Sequence, residues 1–159
     1  MQWRELGEEE CSVARTVSVI GDRWTLLVLR ECFLRTRRFE AFHERLGITR
    51  PVLADRLQKL VEAGVLERVP YQERPVRHEY RLTQRGLDLH PVMMAIVHWG
   101  DVHMAKDGHR PVLHRHRACG HCFDPVMVCS ECAAPLQAHD VAVEPGGSLK
   151  SVQPSPSVG

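Results

Sequence analysis

Two closely spaced cysteine pairs, Cys119-Gly-His-Cys122 and Cys129-Ser-Glu-Cys132, carry the most explicit chemistry in this chain. Four thiolates from two CxxC pairs suit a single tetrahedral zinc ion of the closed, structural kind. His114, His116, His121 and His139 lie close by and leave open whether Cys122 or a nearby histidine is the fourth ligand. A tight hairpin over 123–128, turning at Asp124-Pro125, would bring the pairs together at its open end. A catalytic zinc would need an open position and a general base, and a deaminase would need a His/Cys-x-Glu element before one CxxC. Neither arrangement is present, and no Ser/His/Asp order, phosphate loop or spaced carboxylate pair suggests an enzyme. The competing readings of the cysteines are redox-active thiols or a knot that docks a protein partner.

The chain that positions these residues is 159 long, with 43% hydrophobic residues and a formal net charge of +1. That composition suits one ordinary domain plus an appendage. The near-neutral total says nothing about a nucleic-acid partner, so charge placement must. The acidic start, with Glu8 to Glu10, does not resemble a secretory signal, and no apolar run is long enough to cross a bilayer. A cytoplasmic protein without a membrane partner is expected, and its reduced thiols favour metal binding or redox sensing over disulfides.

Apolar spacing predicts helices over Val13 to Ile20 and Arg23 to Phe33, separated by Gly21. Phe39, Phe42 and Leu46 mark a short helix closed by Gly47. Thr49 is the N-cap candidate for a helix from Arg50 to Ala63, with Pro51 in its first turn and Leu53, Leu57, Leu60 and Val61 as its buried stripe. A short helix, a turn and a second helix read as helix-turn-helix. Alternating residues from Val65 to Tyr71 and from His78 to Leu82, around Glu73-Arg74-Pro75, predict a hairpin. Thr83 then caps a helical stretch running past Pro91 toward Ala105, broken or kinked at the proline. It carries two apolar stripes, Val92/Ile96/Trp99/His103 and Met93/Val97/Met104, one for its own domain and one for a second copy.

The fold expected is mainly α with a small β-hairpin wing, a winged helix-turn-helix, plus a cysteine-rich, zinc-ribbon-like appendage. Its parts are a DNA-binding and dimerisation domain over 1–105, a zinc-binding element over 106–143 and a disordered tail over 144–159. No internal repeat beyond the cysteine pairs is evident.

A helix entering the major groove needs polar side chains near its N-terminus and an apolar back. Thr49, Arg50, Val52, Asp55, Arg56 and Lys59 lie off the leucine stripe. Arg50 and Arg56 suit guanine edges or phosphates. Arg68, Arg74, Arg77 and Arg81 on the hairpin form a basic cluster suited to a minor groove or the flanking backbone of double-stranded DNA, and Arg35, Arg37 and Arg38 precede the first helix of the motif. Singly, each arginine reads as a solvated surface residue; together their placement favours DNA.

Several segments carry a family resemblance: Cys11-Ser-Val-Ala-Arg-Thr16, Ile20-Gly-Asp-Arg-Trp-Thr-Leu-Leu-Val-Leu-Arg-Glu31, Arg38-Phe39, the helix from Arg50 to Gly64, His78-Glu-Tyr-Arg-Leu-Thr83 and His98-Trp-Gly100. Over Cys11 to Gly100 the chain resembles the HxlR-type winged-helix regulators of bacteria, departing at Ser12, where the family often has proline. The resemblance implies a homodimeric transcription factor on inverted-repeat operators, with terminal helices building the dimer. It also gives Cys11 a second meaning, since several such regulators sense oxidants or electrophiles at the matching cysteine. Arg15 and a helix N-terminus would favour the thiolate there, and Glu8 to Glu10 would oppose it. A small buried packing residue is the competing reading of Cys11, and Cys32 reads as plain core.

Overall fold

The computed structural model describes residues 7–8, 10–144 and 146. They divide into two compact units between Val97 and His98. The expected disordered tail, residues 144 and 146 apart, lies outside the described residues.

In the first unit, α1 (Ser12–Ile20) and α2 (Arg23–Phe33) meet at Gly21-Asp22. Asp22 caps α2: its carboxylate accepts from the N–H groups of Trp24 at 2.9 Å and Thr25 at 3.3 Å, donors that would otherwise lack partners. α3 (Phe39–Leu46) ends at Gly47, whose φ of +62° places it in the left-handed region where glycine meets no Cβ penalty. α4 (Arg50–Glu62) follows after two further residues, with Pro51 in its first turn; Thr49 holds the N-cap position without a side-chain hydrogen bond.

The leucine stripe of α4 behaves as its period requires. Leu53, Leu57 and Leu60 are fully buried with Val28, Leu29 and Phe42, joining α2, α3 and α4 in one core that Val65 and Leu66 extend. β1 (Leu66–Glu73) and β2 (Val76–Leu82) form an antiparallel hairpin, from Leu66 opposite Leu82 to Glu73 opposite Val76, with Arg74-Pro75 as its turn. A register shift between Pro70 and Gln72 leaves Tyr71 as the extra residue of a bulge. The Tyr80 N–H donates to the Arg37 carbonyl at 2.8 Å, which ties the wing to the α2–α3 connection.

The helical stretch after Thr83 breaks before Pro91 rather than at it. α5 (Gln84–Leu87) is capped by the Thr83 hydroxyl, which accepts from Gly86 N at 3.1 Å. α6 (His90–His103) then begins with Pro91 in its first turn, where no N–H donor is required. Only the start of the Met93/Val97/Met104 stripe is covered. Met93 is buried with its neighbour Met94 and Val97 is half-buried, but Met104, past the end of α6, is 70% exposed. Val92, Ile96 and Trp99 of the other stripe are 39%, 45% and 59% exposed. No helix among the described residues is long and apolar enough to cross a membrane.

The second unit holds the end of α6, single 3-10 turns at Lys106–Gly108 and Ala138–Asp140, and two small turns around the cysteines. None of the described residues from 98 onward is buried. The expected hairpin over 123–128 is replaced by two isolated bridges, Arg115 with Cys122 and Val128 with Pro135. The reversals therefore fall at the cysteines themselves. Asp124, expected at the hairpin tip, is instead held by Arg110, whose guanidinium nitrogens lie 2.5 and 3.4 Å from its two oxygens.

Candidate nucleic-acid interface and cysteine-rich unit

Gly47 and Thr49 set the start of α4 after the sharp exit from α3, and this exposes Thr49 and Arg50 at the helix N-terminus. Arg50 grips Glu40 of α3 with both guanidinium nitrogens and lies over the Phe39 ring, 5.6 Å from its centroid. The hydrogen bond from Arg50 holds the Glu40 carboxyl below the usual carboxylate range, and Glu40 in turn raises Arg50. Asp55 and Lys59 are exposed one turn apart and pair at 2.9 Å.

Two residues expected on the same face turn inward. Val52 is half-buried and packs on the core. Arg56 is also half-buried: its Nε lies 3.2 Å from Asp22 Oδ1, close enough for an ion pair but without an aligned hydrogen bond. Asp22 therefore serves both the α2 cap and the α4 arginine. Arg38 occupies the N-cap position of α3 and stacks over the bulged Tyr71, 4.5 Å from the ring centroid.

On the wing, Arg74 and Arg77 are exposed, and Arg68 meets His78 Nδ1 at 3.3 Å. Arg81 is committed to Glu79, a buried carboxylate that Arg37 also approaches at 3.9 Å. The acids Asp22, Glu31, Glu40 and Glu79, which orient these arginines, were not singled out by sequence pattern. Arg56–Asp22, Arg50–Glu40, Arg37–Glu79 and Arg45–Glu31 join separate parts of the chain, so no local spacing announces them, whereas Arg81–Glu79 and Arg30–Glu31 are close neighbours in sequence.

Glu31 is the most buried of these acids, at 2% exposure, bound by Arg45, Arg30 and Thr36. Burial alone would raise its pKa; the hydrogen bonds from Arg45, Arg30 and Thr36 outweigh that and hold it below the usual range. Next to it, Cys32 is buried, and burial followed by the Glu31 charge pushes its thiol up to about 12, so it is an inert core residue as expected. Cys11 is different: it is exposed at the N-cap position of α1, not packed between helices.

In the second unit all four cysteines are free thiols, three exposed and Cys129 half-buried. His116 Nδ1 lies 3.3 Å from Cys119 Sγ. Hydrogen bonds from the backbone of Cys132 and Glu131, and from the Cys132 thiol, hold the Cys129 thiol below its usual range. Among the described residues, no three His, Cys, Asp or Glu side chains converge on one metal position.

A three-helix core, an α3–turn–α4 pair and a two-stranded hairpin directly after α4 define a winged helix-turn-helix protein. More narrowly, the chain belongs to the HxlR-like helix-turn-helix family, whose model matches residues 19–108. It is 44% identical over 140 residues to the uncharacterized HTH-type transcriptional regulator Rv3095 of Mycobacterium tuberculosis, covering 88% of this chain and 89% of that protein. Among solved structures it is similar to the crystal structure of PA1607, a candidate transcription factor, with 35% identity and a TM-score of 0.78 over 87% of this chain and 96% of the other. The redox regulator HypR in its oxidized form matches with 28% identity and a TM-score of 0.54, covering 60% of this chain and all of that one. The family and these relatives are transcriptional regulators.

Proposed function

We propose that this chain is a homodimeric, cytoplasmic transcriptional regulator that binds inverted-repeat operators in double-stranded DNA. α4 enters the major groove, with Thr49, Arg50, Asp55 and Lys59 at its exposed edge, and Arg38, Arg74 and Arg77 meet the flanking backbone. The observation that carries this reading is the exposure of Thr49 and Arg50 at the N-terminus of α4, beside a wing whose tip presents Arg74 and Arg77. The uncovered Val92/Ile96/Trp99 stripe of α6 supports the dimer, because that helix already buries Met93 and Met94 in its own unit. The cysteine-rich unit serves as a structural zinc element, since a segment with no buried residue lacks a core to hold it.

Gel shifts on the DNA upstream of its own gene, at several salt concentrations, test the reading. Binding should weaken steeply with salt, map to a palindrome and involve a species of about twice 18.1 kDa. Binding no tighter than that of a neutral control protein would overturn it.

A second reading makes the regulator a thiol sensor through Cys11, supported by its exposure at a helix N-terminus and by the likeness to the redox regulator HypR. Oxidant or electrophile should then change operator affinity in the wild type but not in Cys11→Ser.

A further inference from the structure

The two turns around the cysteines are copies of one another. In the first, His116 N–H donates to the His121 carbonyl (2.9 Å), Gly120 N–H to His116 (2.8 Å) and Phe123 N–H to His114 (3.1 Å). In the second, Cys129 N–H donates to Ala134, Ala133 N–H to Cys129 and Leu136 N–H to Met127, all at 2.9 Å. Every partner is displaced by the same thirteen residues, and so is the bridge, from Arg115–Cys122 to Val128–Pro135. Both turns also place a residue in the left-handed region at the same point, Gly120 at φ +74° and Ala133 at φ +58°.

This backbone repeat pairs His116 with Cys129 and Cys119 with Cys132. It pairs Cys122 with Pro135, which has no donor atom. The true repeat is therefore His-x-x-Cys followed by Cys-x-x-Cys, not two CxxC motifs in register.

Resting on the reading of this unit as a structural zinc element, we propose that its ligands are His116, Cys119, Cys129 and Cys132, with Cys122 outside the set. Three thiolates and an imidazole in tetrahedral array are a usual structural zinc shell. In such a shell a sulfur and a nitrogen ligand sit about 3.6 Å apart, given the metal–ligand bond lengths. His116 Nδ1 and Cys119 Sγ, 3.3 Å apart, are within a few tenths of an ångström of that separation. In the second turn, the same backbone hydrogen bonds hold Cys129 and Cys132 at the positions that His116 and Cys119 take in the first. Each turn thus presents one prepared pair of donors. No three donors converge among the described residues, so this ligand set requires the two turns to close on the metal as it binds.

The full-length protein, purified and loaded with zinc and then with cobalt(II), tests the ligand set. Wild type and Cys122→Ser should each hold one metal per chain with the same sulfur-to-cobalt charge-transfer absorbance, and Cys122 should remain alkylatable in the zinc-loaded wild type. His116→Ala should lose metal affinity by about 10-fold or more. His116→Cys should keep the metal and gain about one third in charge-transfer absorbance, as a fourth thiolate joins three. Metal lost from Cys122→Ser but retained by His116→Ala would overturn the ligand assignment and leave the zinc element standing. Wild type that binds no zinc would overturn both.

Discussion

Arg50 at the start of α4 closes on Glu40 of α3 through a two-pronged ion pair, Nη1 to Oε1 at 3.0 Å and Nη2 to Oε2 at 2.5 Å. The pair bridges the two helices of the helix-turn-helix while both side chains stay more than half exposed. Its strength in water is small, so a DNA phosphate or guanine edge can compete for the arginine. The free protein therefore holds Arg50 in place but neutralised. Glu40→Gln should raise operator affinity at low salt by roughly 2- to 5-fold, an advantage that shrinks as salt screens the phosphates. Titrations by fluorescence anisotropy at two ionic strengths check this, and unchanged affinity at low salt would refute it.

Arg50 and Arg56 should separate cleanly by their effects. Arg50→Ala should weaken DNA binding and lower the slope of log affinity against log salt by about 1 if the contact is to phosphate. Arg56→Ala removes the partner of the Asp22 cap and should lower unfolding free energy by about 1 kcal/mol while leaving that slope alone. Urea melts beside the salt titration decide, and a changed slope in Arg56→Ala would count against its inward role.

Glu31 gives the first unit an acid-sensitive joint. Its folded pKa lies below the ordinary value, so the stability it contributes is fully present above the ordinary carboxylate range. That stability is lost as pH falls through the depressed value. Arg45→Ala should cost about 1–2 kcal/mol near neutrality, the low end for a charged hydrogen bond because Arg45 is half exposed. It should also flatten the fall in stability below about pH 5. Urea unfolding of both proteins between neutral and acidic pH measures the difference, and parallel pH profiles would show the joint to be elsewhere.

Gly86 sits where a Cβ would lie 2.2 Å from the Val65 carbonyl oxygen and 2.9 Å from Leu82 Cδ2. The nearer neighbour is backbone at the root of the wing, and it cannot swing aside. Gly86→Ala should therefore destabilise by at least about 2 kcal/mol, visible as a lower thermal midpoint, with the wing displaced from α5. A midpoint within a degree of wild type would contradict the packing described.

Periodicity and punctuation placed most of the DNA-binding fold. The leucines of α4, the glycine after α3, Thr83 as a cap and the alternation on either side of Arg74-Pro75 each act through neighbours a few residues away, so each is visible in a linear string. Helix bounds came within a residue or two for the same reason. The break before Pro91 was displaced because a proline is compatible with the opening turn of a new helix as well as with a kink in an old one.

What the chain alone determined about this protein is its winged helix-turn-helix architecture, its family and the presence of two cysteine pairs. What only the tertiary structure decided is which charged and sulfur groups answer one another. Arg56 faces Asp22 because α4 packs on the start of α2, and Arg50 meets Glu40 because the turn at Gly47 folds α4 back across α3. Cys122 leaves the register of the second cysteine pair because backbone hydrogen bonds, not residue spacing, set where each turn reverses. Local pattern is written in side-chain identity, whereas pairing depends on where the backbone closes its hydrogen bonds and brings distant segments together.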